Sequence, residues 1–233
     1  MRDRSRVFHD RREAGRLLGQ HMCEHPLQGQ LVVLGLPRGG VPVAFEVATA
    51  LHAPLDVLVV RKLGAPYNPE LAMGAIGPNG VIVFNQGVID MLRIADEQIE
   101  EIRVREQAVL EARQKAYRSG RPPLELAHKT VVLVDDGIAT GATMFAAVRA
   151  LRALAAQRIV VAVPTSSPEA VRELERMGVD VVALSTPEPY VAVGAWYERF
   201  DQTSDEEVIG LLASNTTEPA ASARGSDVRG RPG

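Results

Sequence analysis

The chain has 233 residues, of which 46% are hydrophobic and 24% charged, with a formal net charge of −3. That is an ordinary globular composition, and the slight acidity argues against nucleic acid as a partner. Cys23 is the only cysteine, which rules out an internal disulfide and points to a reducing, cytoplasmic setting. The opening MRDRSRVFHDRREAG is too charged for a signal peptide, and no apolar run approaches the ~20 residues of a membrane span.

Asp10-Arg11-Arg12-Glu13 reads as a capping box, and Ala14, Leu17, Leu18, His21 and Met22 follow at helical spacing, predicting a helix over 10–24. LVVLG (31–35) is a buried strand that stops at Gly-Leu-Pro-Arg-Gly-Gly. A helix over 41–51 and a second buried strand, LDVLVV (55–60), follow. Gly, Pro and Asn make RKLGAPYNPEL a loop, so 61–72 is expected to be irregular. Two apolar runs around Gly-Pro-Asn-Gly predict a hairpin over 73–84. A long charged helix spans 94–117, with Glu101–Arg105 and Glu111–Lys115 spaced four apart. Strands at 130–134, 158–163 and 179–184 then alternate with helices at 141–155 and 168–177. From Ser214 the chain loses periodicity, and 214–233 is expected to be a disordered tail behind one domain over 1–213.

Apolar strands alternating with helices imply an α/β fold, a Rossmann-like parallel sheet flanked by helices, with ligands at the carboxyl ends of the strands. At one such end stands VVLVDDGIATGATM (131–144). Backbone N–H groups at the start of the following helix are unsatisfied and suit a phosphate, which Gly141 and Ala142 allow to approach and which the Thr140 and Thr143 hydroxyls can also reach. Asp135 and Asp136 would repel that phosphate if they lay beside it. A few ångströms away they can accept from sugar hydroxyls or hold Mg²⁺ through water. A ribose 5-phosphate satisfies both halves. No Gly-Lys-Ser/Thr follows, as a P-loop requires, and no Gly-x-Gly-x-x-Gly is present here. Gly35-Leu-Pro-Arg-Gly-Gly40 is a second candidate anion nest, with Arg38 adding charge.

Residues 131–143 resemble the 5-phosphoribosyl 1-diphosphate (PRPP) motif of type I phosphoribosyltransferases: four apolar residues, an acidic pair, two mostly apolar positions and a small Thr/Gly loop. Gly137 departs from the pattern, where an aliphatic residue or Ser is usual. The resemblance implies that Asp135 and Asp136 hold the ribose 2′ and 3′ hydroxyls and Mg²⁺, and that Ile138, Ala139, Thr140, Gly141, Ala142 and Thr143 form the 5′-phosphate loop. Ala139 stands where the hypoxanthine-guanine branch has an acid that exchanges a proton with the purine. By the same resemblance, Pro37, Arg38, Gly39 and Gly40 contact the diphosphate, with a cis peptide expected at Pro37–Arg38. Arg61 and Lys62 then open a flexible loop that closes over the site and neutralises the leaving diphosphate, with Glu70 an acid/base candidate.

Thr186-Pro-Glu-Pro-Tyr-Val-Ala-Val-Gly194 is similar to the segment that places an aromatic ring over the nucleobase in purine phosphoribosyltransferases, which makes Tyr190 and Val191 the base-binding candidates. Trp196, Tyr197 and Phe200 are read as core or dimer contacts, and Glu198 as a candidate for a second Mg²⁺. The resemblance runs from about residue 7 to 212, with a small hood built from the chain ends, including about 185–200. It is nearest to stand-alone bacterial members whose substrate is unassigned, sharing the early Asp-Arg, Leu-Pro-Arg-Gly-Gly, Arg-Lys and Gly-x-Trp-Tyr-x-x-Phe. It implies Mg²⁺-dependent transfer to a nucleobase-like acceptor by a homodimer. A PRPP- or nucleotide-sensing regulator and a sugar-phosphate binding domain without turnover stay open.

Overall fold

The structure is a computed structural model that describes residues 6–215. The expected tail thus lies almost wholly outside the described residues, and so does the side chain of Glu70. A five-stranded parallel sheet forms the centre, from β1 (Gln30–Gly35), β2 (Leu55–Val57), β6 (Lys129–Val134), β7 (Arg158–Thr165) and β8 (Asp180–Ser185), in the order β2-β1-β6-β7-β8. Successive side chains of a strand point to opposite faces. Accordingly Val33, Val132 and Val160 pack with Leu18 and Val47 of α1 (Arg11–Cys23) and α2 (Gly40–Ala50). Leu34, Leu133 and Val161 pack with Met144, Leu151 and Leu174 of α5 (Ala142–Ala153) and α6 (Pro168–Arg176). Burial on both faces explains why these strands read as unbroken apolar runs.

Two expectations are corrected. The strand expected over 55–60 pairs with β1 only at residues 55–57, after which the chain leaves the sheet. The irregular loop expected over 61–72 is instead an antiparallel hairpin. β3 (Arg61–Ala65) turns at Pro66-Tyr67 into β4 (Asn68–Ile76), which pairs in turn with β5 (Ile82–Phe84). The residues read as loop formers are absorbed by a local irregularity. The register shifts on both sides of Gly64, where a Cβ would lie 2.5 Å from the Pro69 carbonyl oxygen.

A short helix α3 (Gln86–Leu92) precedes α4 (Asp96–Arg118), so the charged helix expected from 94 is preceded by a separate element. Another unforeseen helix, α7 (Asp205–Ser214), is capped by Ser204, whose side chain accepts from Glu207 N, and packs on α2 and α4. Its last residue is Ser214, where the tail was expected to begin. No described helix is long and apolar enough to cross a membrane.

Candidate functional site

The loops after β1, β6 and β7 meet at one edge of the sheet, and the acid pair sits among them. Parallel pairing of β1 with β6 ends at Gly35 and Val134, so the glycines after one strand face the aspartates after the other. A Cβ on Gly39 would lie 2.1 Å from Asp136 Oδ2, and one on Gly40 would lie 2.8 Å from Asp135 Cα. The two glycines are therefore required by a backbone that presses on the acids. The Pro37–Arg38 peptide is cis, as expected.

Asp135 Oδ1 accepts from the Asp136 backbone N–H at 2.9 Å, and Asp136 Oδ2 accepts from Arg11 Nε at 2.8 Å. Burial pushes the Asp135 carboxyl well above the ordinary carboxylate value, and the Asp136 charge pushes it further. Burial raises Asp136 too, while the Arg11 hydrogen bond and charge pull it down. Arg11 is held in turn by the Asp201 carbonyl, at 2.5 Å, and by the face of Phe200, 3.9 Å from the ring centroid. Two half-buried acids share one arginine. A cation or a hydroxyl-bearing ligand would supply the compensation that the protein itself leaves incomplete.

The loop expected to take a phosphate, Ile138 to Thr143, is tied to its neighbours. Ile138 donates its N–H to the Thr165 carbonyl at 3.0 Å and accepts at its own carbonyl from Ser167 N at 2.8 Å. Ile138 is thus the anchor of the loop, buried in the core, and its N–H is already engaged. The Ser167 hydroxyl donates to the Ala139 carbonyl at 2.7 Å and accepts from Ala170 N at 3.1 Å, fastening the loop to the start of α6. Gly141 has φ +79° and caps α5, and a Cβ there would lie 2.4 Å from the Phe145 ring. The backbone then enters α5 with the N–H groups of its first turn directed out of the helix end, as an anion site needs. Thr140 and Thr143 are exposed at this mouth.

Thr143 and Pro37 also line a cleft of about 680 Å³ between the β3–β4 hairpin and α4, together with Arg61, Lys62, Arg105 and Arg113. The structure therefore brings Arg61 and Lys62 to the same cleft as Thr143, on a strand and not on a loop. Arg61 is engaged: its Nε and Nη2 donate to the buried Glu106 carboxylate at 2.8 and 2.5 Å. Arg38 turns toward α7, 3.8 Å from Asp205. A larger hollow of about 750 Å³, between α1 and β8, touches none of the expected site residues.

The segment after β8 folds back over the acid pair. Tyr197 is buried and donates its hydroxyl to the Asp136 carbonyl at 2.5 Å, while its ring packs on Phe8. Tyr190 is half-buried beside Trp196, and burial pushes its phenol up to about 12. Val191 is 78% exposed. Glu198 is exposed and accepts from His9 Nδ1 at 2.8 Å. Among the described residues no three His, Cys, Asp or Glu side chains cluster as a metal cage.

A family model described as a phosphoribosyl transferase domain matches residues 11–193. The chain belongs to the phosphoribosyl transferase family. Relatives in Mycobacterium tuberculosis, "Putative phosphoribosyl transferase Rv0571c" of strain H37Rv and its counterpart in strain CDC 1551, are 47% identical over 208 residues. Those residues are 89% of this chain and 46% of the relatives, so the chain spans about half the length of the curated relatives it matches. The crystal structure of TT1426 from Thermus thermophilus has 46% sequence identity and a TM-score of 0.82, covering 90% of this chain and 99% of that one.

The departure from the phosphoribosyl transferase pattern at Gly137 has a local cause. A Cβ there would meet Val193 Cγ1 at 2.6 Å and Thr165 Cγ2 at 3.0 Å, so the hood occupies the space that a side chain would fill. No local pattern marks Ser167 as a site residue, nor Arg11 beyond its place in the early Asp-Arg. Ser167 was legible only as a helix cap, and no local pattern shows that Arg11 reaches an acid 125 residues away.

Proposed function

We propose that this chain transfers the 5-phosphoribosyl group from PRPP to a nitrogenous base, a purine in preference to a pyrimidine, with release of diphosphate. The observation that carries the reading is the convergence on one pair of half-buried acids of two backbone loops suited to anions. The ribose diol lies on Asp135 and Asp136, and the 5′-phosphate on the backbone and hydroxyls of 139–143. The diphosphate lies toward Pro37–Gly40 and the cationic cleft. Breaking the C1–oxygen bond leaves positive charge on the sugar, and negative charge moves onto the departing diphosphate. Asp135 and Asp136 stabilise the first. Lys62, with Arg105 and Arg113 further along the cleft, stabilises the second.

Mg²⁺ fits the hard carboxylate oxygens of 135 and 136, held through water, and when bound it neutralises diphosphate charge. The expected setting is cytoplasmic and the expected assembly a homodimer. A second reading, a PRPP or nucleotide sensor with little turnover, is favoured by one observation: Ala139 offers no acid at the position next to the base. Incubation with PRPP, Mg²⁺ and a panel of nucleobases should release diphosphate with at least one of them. PRPP binding without release from any base would support the sensor.

A further inference from the structure

Glu106 is a carboxylate buried in the wall of the cationic cleft, and the proposed transfer reaction has no step that uses it. It stands in the inward stripe of α4. Ile102 lies one turn before it and Leu110 one turn after, and both are buried in the core. The packing of the helix therefore asks for an apolar residue at 106. The acid is held instead by two cations. Arg61 donates from Nε and Nη2 to Glu106 Oε2 at 2.8 and 2.5 Å, and Arg105 donates from Nε to Oε1 at 3.3 Å. One carboxylate thus joins a guanidinium from β3 to a guanidinium from α4. Both line the cleft that also holds Thr143 at the start of α5.

A buried ion pair is weak support for a fold, since well-packed apolar residues of similar size often serve as well or better. Its effect here is on the cations. Two guanidiniums side by side repel one another, and an acid between them removes the repulsion and sets their spacing. The arginine fork grips phosphate only when its plane is fixed. The Arg61 side chain is 32% exposed and that of Glu106 only 12%, so a ligand in the cleft meets the guanidinium before the acid. Arg105 is the looser partner, with a side chain 64% exposed.

Resting on the phosphoribosyl reading, we propose that Glu106 is a positioning residue for Arg61. It sets the Arg61 guanidinium on the cleft wall to receive the departing diphosphate, and it acts on that ligand only through the arginine.

The sign of one effect separates positioning from charge. Glu106→Gln keeps the shape of the side chain and removes one negative charge from the cleft. By charge alone, that variant would bind diphosphate more tightly. Positioning requires the reverse. In calorimetric titrations of the whole chain, Glu106→Gln should bind diphosphate about tenfold more weakly than wild type and ribose 5-phosphate equally well. Arg61→Ala should weaken diphosphate to a similar extent, and adding Glu106→Gln to it should cost nothing more. Equal or tighter diphosphate binding by Glu106→Gln, losses that add in the double variant, or a parallel loss of ribose 5-phosphate affinity overturns the inference and leaves the phosphoribosyl reading intact. A wild-type protein that binds ribose 5-phosphate but not diphosphate does the same. Failure of the wild-type protein to bind ribose 5-phosphate overturns that reading and this inference with it.

Discussion

Asp135 and Asp136 are expensive residues. An acid whose folded-state pKa is raised keeps a proton that the unfolded chain has released, so stability falls as pH rises from the ordinary carboxylate range through the raised value. Asp135→Asn abolishes that ionisation. At pH 7 its melting midpoint should therefore lie a few degrees above wild type, given that about 1 kcal/mol moves a domain of this size by roughly 2–4 °C. The gap should close as the pH falls into the ordinary carboxylate range, where the wild-type acid is protonated as well. The same substitution should strongly weaken PRPP binding in calorimetry with Mg²⁺. A variant that is more stable yet binds PRPP undiminished would show that the pair does not hold the ribose. Arg11 tests the other half of the balance. Arg11→Met removes the guanidinium that pairs with Asp136 and stacks on Phe200. It should lower stability at pH 7 by about 2–4 kcal/mol, and less in acid, as read from denaturant midpoints at the two pH values.

At the scale of elements, the loop between β6 and α5 is held by its neighbours more than by itself. Ser167 does two jobs with one hydroxyl: it caps α6 and fixes the Ala139 carbonyl. Ser167→Ala should cost about 1 kcal/mol of stability, the usual worth of a cap, and also reduce affinity for ribose 5-phosphate, which a cap alone would not do. Gly141→Ala forces a side chain to φ +79° and into the Phe145 ring, so both stability and phosphate affinity should fall. The β3–β4 hairpin was the element least legible in the sequence. Gly64, Pro66, Asn68 and Pro69 are strong loop signals individually. They are tolerated because the register shifts around Gly64, and only pairing partners contributed by tertiary structure reveal that. The parallel strands were legible for the opposite reason, since burial on both faces leaves an apolar run with no competing reading. Placed on this hairpin, Lys62 lines the cationic cleft. Lys62→Ala should reduce turnover more than nucleotide monophosphate binding, because the charge it opposes develops as diphosphate leaves. Equal loss of both would count against that role.

Across the whole molecule, residues from the first helix and from the segment after β8 meet the acid pair that follows β6. The acid pair and the glycine-containing loop after it stand out in fourteen consecutive residues, because strand, charge and helix start are all local signals. What fastens them was not readable. Arg11 comes from the first helix and Tyr197 from the return after the last strand; each meets the acid pair only through the fold, and Phe200 joins them through its contact with Arg11. Expecting Tyr197 to be a core or dimer contact was half the answer, since its ring packs on Phe8 while its hydroxyl holds the Asp136 carbonyl. That hydrogen bond is the direct tie between hood and acid pair, and it can be removed without disturbing the packing. Tyr197→Phe keeps the ring against Phe8 and Phe200 and should cost only about 0.5–1.5 kcal/mol in unfolding. If the tie positions the acids, PRPP affinity should nevertheless drop several-fold. If Tyr197 serves packing alone, PRPP affinity should match wild type, because the ring contacts survive the substitution. Paired measurements of unfolding and PRPP binding on this one variant thus separate a hood that merely covers the acid pair from one that aims it.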